Sequence, residues 1–356
     1  GFALPTQRAP FGAAHRALDA QTFAAWLDAQ GFSEPGLRWY LDYCCRDDYG
    51  AGSSVVSAWA GLHYFASRHG FQAPDDDEGG DPAPPPITAP QGNGWLVQRL
   101  AEPLRREQRL LTARVGLALQ EEREGVDLLC WTPNDGPGLE RWRARELVLA
   151  VPLFVVQRIW RNPPPALREA RLPRAPWLVA NLLLDGPPLQ RAGQPLAWDN
   201  VIHDSAALGY VVATHQQLRY APGATVISWY RALHEESASR TLSAGESASR
   251  GGKRRLLYSR EDWAREILAD LSRPHPEIRE LVTRLDVHRH AHAMIRPLPG
   301  RLWGGARAVF ERGLPGLQFA HADVSGLSLF EEANYRGVLA AERTLRRLGV
   351  SFASSL

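Results

Sequence analysis

Two stretches of this sequence carry side chains that could do chemistry. In residues 286–297, His288, His290 and His292 alternate with other residues. Successive side chains of an extended chain point to opposite faces, so the three imidazoles are expected on one face of a strand. Imidazole changes charge near neutral pH and can accept or give a proton. A shared metal ion is the weaker reading, because spacing of i, i+2 and i+4 along a strand spreads the ligands too far to converge. One or two of the histidines are expected to line a pocket, with the remainder packed or facing water.

The second stretch is residues 317–326 with the run 330–348. Residues 317–320 read as a short apolar strand after the turn Leu314-Pro315-Gly316. Asp323, Ser325 and Gly326 form a polar bend, and Glu331-Glu332 open a helix where carboxylates suit the positive end of the dipole. Ala333, Gly337, Ala340 and Ala341 recur at three- and four-residue spacing, giving a face small enough for a backbone or flat ligand to approach. A strand, acidic bend and small-faced helix can hold a cofactor through a carboxylate, free amides and a helix N-terminus. A plain capped helix has the same local pattern.

These stretches sit in a chain of 356 residues, long enough for about two domains with sizeable cores. Apolar residues make up 44% of it, as in a globular protein. The 41 basic and 39 acidic residues leave a net charge of +2, which gives no reason to expect nucleic acid or an anionic membrane as partner. Lys253 is the sole lysine, an arginine bias that points to a GC-rich, bacterial type of genome. Cys44, Cys45 and Cys130 have no metal-ligand spacing and read as structural thiols. No apolar run reaches membrane-spanning length, and no signal peptide is visible. The first residue is Gly1 rather than Met, so a segment ahead of it is expected, and the compartment stays unassigned.

The elements that must position these residues follow from periodicity. Residues 22–29, 35–46 and 53–68 read as helices, with residues 46–50 as a solvated turn between the last two. Residues 72–90 are acidic and then proline-rich, a linker. A helix to about residue 106 follows Pro90-Gln91-Gly92-Asn93-Gly94. Strands are expected at 110–120, 126–131 and 145–151 as a small antiparallel set, then at 177–184, 201–202, 209–215 and 225–230 in one sheet. Residues 237–250 are low in complexity and read as a mobile loop, followed by a small basic run at 251–255. Residues 260–271 and 276–285 read as helices.

Taken in order, the motifs resemble the flavin-dependent amine oxidases and their relatives, the polyamine oxidases, protoporphyrinogen oxidases and carotenoid desaturases. Residues 90–94 are similar to the family's Pro-x-Gly-Gly loop, and residues 147–152 are similar to its strand that re-enters the cofactor domain. Asp323 and Glu332-Ala333 fall where the family has its acidic residue and the Gly-Ala that begins its last helix. The resemblance covers roughly residues 88–350. It implies an α/β fold: a partial, Rossmann-like, three-layer FAD-binding domain and a mixed-sheet substrate domain with helices. The expected division is 1–87 helical with a linker, 88–158 FAD-binding, 159–299 substrate domain and 300–356 FAD-binding. FAD is the implied cofactor, held by Val115, Val151, Pro152, Asp323, Ser325, Gly326, Glu332 and Ala333. The implied reaction is hydride transfer from an amine or another small organic substrate to flavin. His290 and His292 are the candidate catalytic residues. Trp198, Asn200, His215 and Met294 are the candidate substrate-pocket residues, with Asp199-Asn200 equally readable as a turn.

The sequence departs from the family at three points. The Gly-x-Gly-x-x-Gly fingerprint is absent from residues 1–356, which is expected to reflect a missing N-terminal portion. Residues 177–181 hold no Lys where an amine oxidase often has one. Leu327-Ser328 and residues 290–294 do not offer the pair of aromatic rings that cages an amine. The alternative functions are a flavoprotein-derived binding or assembly module without chemistry, and a nicotinamide-dependent α/β enzyme. No cysteine lies in the matching motif, so no thioether link to the flavin is expected.

Overall fold

The computed structural model describes residues 2–67, 89, 92–133, 138–170, 172–190, 192–216, 223–233, 258–303 and 305–356. The expected linker at 72–90 (save residue 89), the loop at 237–250 and the basic run at 251–255 lie outside them. The chain starts with four helices: α1 (Ala13–Asp19), α2 (Phe23–Ala29), α3 (Pro35–Tyr49) and α4 (Ala58–Ala66). Local capping explains where most of them start. Thr22 accepts from the Ala25 amide, Glu34 from the Gly36 and Leu37 amides just ahead of Pro35, and Ser57 from the Ala60 amide. Each cap contributes ~1 kcal/mol.

Two expectations change here. The third helix starts at Ala58 rather than at Ser53, because Asp42 Oδ1 accepts from both the amide and the hydroxyl of Ser53 and holds it in a turn. Residues 46–50 are not a solvated turn. Arg46 and Tyr49 are buried in α3, where Arg46 donates to Ala206 O and Tyr49 to Ala60 O. Gly50 ends the helix at φ +61, and a Cβ there would lie 2.8 Å from that of Ala175. The helices thus pack directly on the sheet that carries the histidines.

Next comes α5 (Gly94–Arg106), none of whose residues is buried. It leads to an antiparallel meander of β1 (Val115–Glu122), β2 (Gly125–Thr132) and β3 (Gly138–Ala144). The strand expected from residue 110 begins at Val115, since Ala113 takes a left-handed conformation at φ 55. Residues 145–151 are not the third strand of this set. That place belongs to Gly138–Ala144, while β4 (Leu147–Leu149) pairs in parallel with β10 (Leu317–Phe319). Two short helices follow β4, α6 (Leu153–Ile159) and α7 (Pro165–Arg168).

A five-stranded sheet is built from β5 (Arg174–Leu184), β6 (Asp199–Asn200), β7 (Gly209–Val212), β8 (Thr225–Ala232) and β9 (Val282–Ile295). Their order is β6-β7-β8-β5-β9, and the described pairings are antiparallel. The strand expected at 201–202 is instead Asp199–Asn200. Between β8 and β9 lie α8 (Arg260–Leu271), opened by a reciprocal Ser259–Asp262 cap, and α9 (Ile278–Leu281). The helix expected over 276–285 stops at Leu281 because Val282 onward pairs with β5, where the β-branched Val282 and Thr283 suit a strand. The chain closes with α10 (Gly305–Arg312) and α11 (Phe330–Arg347). Helices and sheets together give the expected α/β architecture.

Three of the four apolar cores among the described residues bear on the elements around residues 286–328. One lies between the large sheet and α8, with Trp229, Trp263 and Ile267 fully buried. A second joins the N-terminal helices to Leu302 and Leu327, and a third joins β4, α6, α10 and β10 through Leu149, Leu153, Phe310 and Phe319. The bend at residues 321–328 spans the last two, since Val324 belongs to the third core and Leu327 to the second.

Candidate active site

Pro176 sets the local shape of the site. It has no amide hydrogen to give to a neighbouring strand. Ala175 pairs with Met294 and Trp177 with His290, so Pro176 alone stands opposite residues 291–293 and β9 bulges. Alternation is lost at the bulge. Consequently Arg289, His290, Ala291, His292 and Ala293 all line one cleft, of about 620 Å³. Its other walls are Pro152, Arg174, His321, Ala322, Ser328 and Leu329. His288 does not share it. It lines a separate depression with Tyr258 and Trp263, so the expected single face of three histidines is reduced to His290 and His292.

Beneath the cleft, β5 begins with Arg174, a buried guanidinium. Its Nε donates to His292 O at 3.0 Å, and its Nη1 pairs with Asp323 Oδ2. Leu153 N–H, at the start of α6, donates to the same Oδ2 at 3.0 Å. Asp323 therefore ties β5 and α6 to the bend. Its own N–H donates to His321 Nδ1 at 3.1 Å, which places the neutral imidazole's proton on Nε2. In that tautomer Asp323 Oδ1, 3.3 Å from His321 Nδ1, is buried without a donated hydrogen bond among the described residues, whereas a protonated His321 pairs with it. Burial works to raise the Asp323 carboxyl, but His321, Arg174 and the Leu153 amide together hold it below the usual carboxylate range.

His292 stacks on Phe154, with ring centroids 4.5 Å apart, and Arg174 lies over the same ring at 5.2 Å. Burial first, then the charges of Arg174 and Arg158, pushes the His292 imidazole below its ordinary value. The ring is accordingly neutral near pH 7 and has a lone pair to offer. Ser328 Oγ accepts from Ile295 N–H at 3.0 Å and fastens the bend to β9.

The remaining expected cofactor residues brace this wall from behind. Ser325 is fully buried; Arg336 Nε donates to its hydroxyl and Arg307 Nη1 to its carbonyl. Gly326 stands at φ +81, and a Cβ there would come within 3.1 Å of Leu302. Glu332 does not face solvent at the helix start; it is buried and accepts from both the amide and the hydroxyl of Thr6. The packed side of α11 carries Glu332, Arg336 and Ala340, whereas a Cβ on Gly337 would meet nothing within 4 Å. Of the small residues, Ala340 is thus packed, Ala333 and Gly337 are half-buried and Ala341 is exposed. Val151 precedes Pro152 at the cleft, while Val115 lies exposed on β1 and outside it.

The expected substrate-pocket residues are dispersed. Met294 packs at Gly50, outside the cleft lining. Asn200 borders a second cavity, of about 680 Å³, with Tyr210 and His275. Trp198 and His215 lie near the same sheet edge, where Trp198 O accepts from Val212 N–H and His215 Nε2 lies 3.1 Å from Leu196 O. That edge is four strand spacings from β9, roughly 19 Å. Sequence reasoning missed Arg174, Phe154 and His321. A charge heading an apolar strand was the available signal for Arg174, since a buried guanidinium requires a partner. Among the described residues no group of three His, Cys, Asp or Glu side chains could hold a metal, and no helix is long and apolar enough to cross a membrane.

Solved structures share the fold. The cyclohexylamine oxidase of Brevibacterium oxydans IH-35A superposes with a TM-score of 0.64 at 15% identity, over 94% of this chain and 69% of that one. A putrescine oxidase, solved with putrescine bound, gives 0.62 at 14% identity, over 94% and 70%. No curated protein sequence matches. The model of the flavin containing amine oxidoreductases, however, matches residues 5–345, and this chain belongs to that family of FAD-dependent oxidoreductases.

Proposed function

We propose that this enzyme oxidises an amine or other small organic substrate in the cleft between the β9 bulge and the 321–329 bend, with hydride leaving the substrate for FAD. The observation that carries this reading is a cleft lined by three histidines, His290, His292 and His321, beside the buried carboxylate of Asp323, whose Oδ1 has only His321 Nδ1, 3.3 Å away, as a polar neighbour named among the described residues. A dinucleotide's sugar-alcohol chain offers hydroxyl donors, so the carboxylate fits such a group. Asp323, Val151 and Pro152 would hold the cofactor directly. Ser325, Gly326, Glu332 and Ala333 act by bracing the bend and the start of α11. FAD, when bound, supplies the hydride acceptor.

The chain's own residues do the rest. Arg174 fixes the His292 backbone, and Phe154 fixes the His292 ring. A ring nitrogen of neutral His292 accepts the proton a substrate loses as its C–H carbon is oxidised, with His290 beside it as the second imidazole. Ala291 and Ala293 leave room for the substrate between them. The test is the visible spectrum of the protein purified without added cofactor, followed by anaerobic addition of amines. Flavin bands near ~450 nm that bleach on addition are the expected result. A folded, colourless protein that takes up no FAD overturns the proposal.

A further inference from the structure

We propose that His321 is a positioning residue that gates Asp323. Its neutral ring turns aside and gives Oδ1 to a hydroxyl of the cofactor, and its protonated ring closes on that oxygen and excludes the hydroxyl. The inference rests on the reading of Asp323 as a cofactor-holding group. Asp323 is fully buried and outside the cleft lining, whereas His321, two residues earlier, lines the cleft with 25% of its side chain exposed. His321 Nδ1 lies 3.3 Å from Asp323 Oδ1 and 3.1 Å from the Asp323 amide nitrogen. One nitrogen cannot serve both partners in the same state. With a lone pair, Nδ1 accepts from the Asp323 N–H and leaves Oδ1 without a donated hydrogen bond. With a proton, it gives up the amide and donates to Oδ1, so a charge-assisted bond replaces a neutral one.

The ring is held lightly enough to turn. His292 is stacked on Phe154, but among the described residues the His321 ring has no aromatic contact and no partner at Nε2. When neutral it keeps one uncharged hydrogen bond, the weaker kind. The surrounding charges set the balance between the two states. Asp323 favours the protonated ring. Arg174 from β5, paired with Asp323, and Arg289, His290 and His292 from β9 line the same cleft and oppose a further positive charge, while Arg158 of α6 acts on His292. Asp323 is itself held below the usual carboxylate range, so it keeps its charge while imidazoles titrate. Linkage is reciprocal: a cofactor hydroxyl on Oδ1 makes His321 harder to protonate.

Titration of the flavin-stripped protein with FAD, followed by flavin fluorescence at about pH 8 and about pH 5.5, tests the gate. Binding is expected to be ~10-fold weaker at the lower pH. His321→Asn keeps an acceptor for the Asp323 amide but cannot titrate, and is expected to bind FAD with nearly the same affinity at both values. Equal affinities of the unaltered protein overturn the inference, as does an undiminished pH dependence in a folded His321→Asn protein. Should His321→Asn fail to fold, heteronuclear NMR of the unaltered protein decides. Without FAD, the neutral His321 ring is expected to carry its proton on Nε2. On acidification Nδ1 is expected to gain a proton as the Asp323 amide signal shifts in step, and added FAD should move both changes to lower pH. A neutral ring with its proton on Nδ1 overturns the inference. FAD that binds equally well at both pH values and bleaches with amines sinks the gate alone. A protein that shows the NMR exchange but takes up no FAD sinks the oxidase reading.

Discussion

The two walls of the cleft are held by different physics. On the β9 side, an eleven-residue strand lies between two partners, over a core with Trp229, Trp263 and Leu178 fully buried. On the bend side, β4 and β10 are three residues each and form a two-stranded parallel sheet. Elsewhere in the chain, α5 leaves Trp95, Val97, Leu100 and Leu104 exposed. The bend depends instead on polar ties: Asp323 to Arg174 and Leu153, Ser328 to Ile295, Ser325 to Arg307 and Arg336. Apolar burial spreads its contribution over many atoms and tolerates pH. A buried ion pair concentrates it on two groups, and losing one strands the other.

The comparison can be broken or sharpened by substitution. Trp229→Ala should cost most, ~3–5 kcal/mol, because it opens a cavity in the large core and removes a donor to Asp270. Urea denaturation reads this, and a loss under 1 kcal/mol would mean that the large sheet is not the stronger wall. Asp323→Ala leaves the Arg174 charge buried and unpaired, at a cost of ~3 kcal/mol, and should also release flavin on gel filtration. Unchanged flavin content with lowered stability would reduce Asp323 to a purely structural tie.

The pH dependence should separate two buried acids. Asp323 has a lowered folded pKa, so its contribution is complete above the ordinary carboxylate value and is lost as pH falls through the lower folded one. Asp19 goes the other way: burial, only partly offset by Ser57, Arg307 and the Gly300 amide, raises it from 3.8 to about 6. Its folded form holds the proton longer, so it costs stability as pH rises from about 4 to about 6. Asp19→Asn is expected to flatten that part of a melting-temperature profile and leave the more acidic part intact. Leu100→Glu on α5 should do least, changing stability by under ~0.5 kcal/mol while lowering the binding of an apolar dye. A large loss of stability would show that α5 packs more firmly than its exposure indicates.

Much of this was legible in the residues. The helix at 260–271, the strand at 317–319, the bend at Asp323 and the last helix all carry short-range signals: a cap, a turn, a period of two or of 3.6. The pair His290 and His292 was legible as well. Trp198, Asn200 and His215 were grouped with that pair because they read as one sheet, yet strand order puts them at its opposite edge. Neither composition nor spacing encodes strand order, which depends on how strands far apart in sequence pack.

By itself, the sequence determined the capped helices, the family motifs and the chemistry available at residues 286–297 and 317–326. Only the tertiary structure decided which of those groups meet. Pro176 made the β9 bulge available, but register with a strand more than 100 residues away determined that His290 and His292 enter the cleft and His288 does not. Arg174 and Asp323, 149 residues apart, became partners because a buried charge needs an opposite one beside it. Caps and periodicities act over a few residues and can be read locally. Desolvated charges and strand register are settled by the whole packed molecule, where the free energy of one group depends on which others have been buried with it.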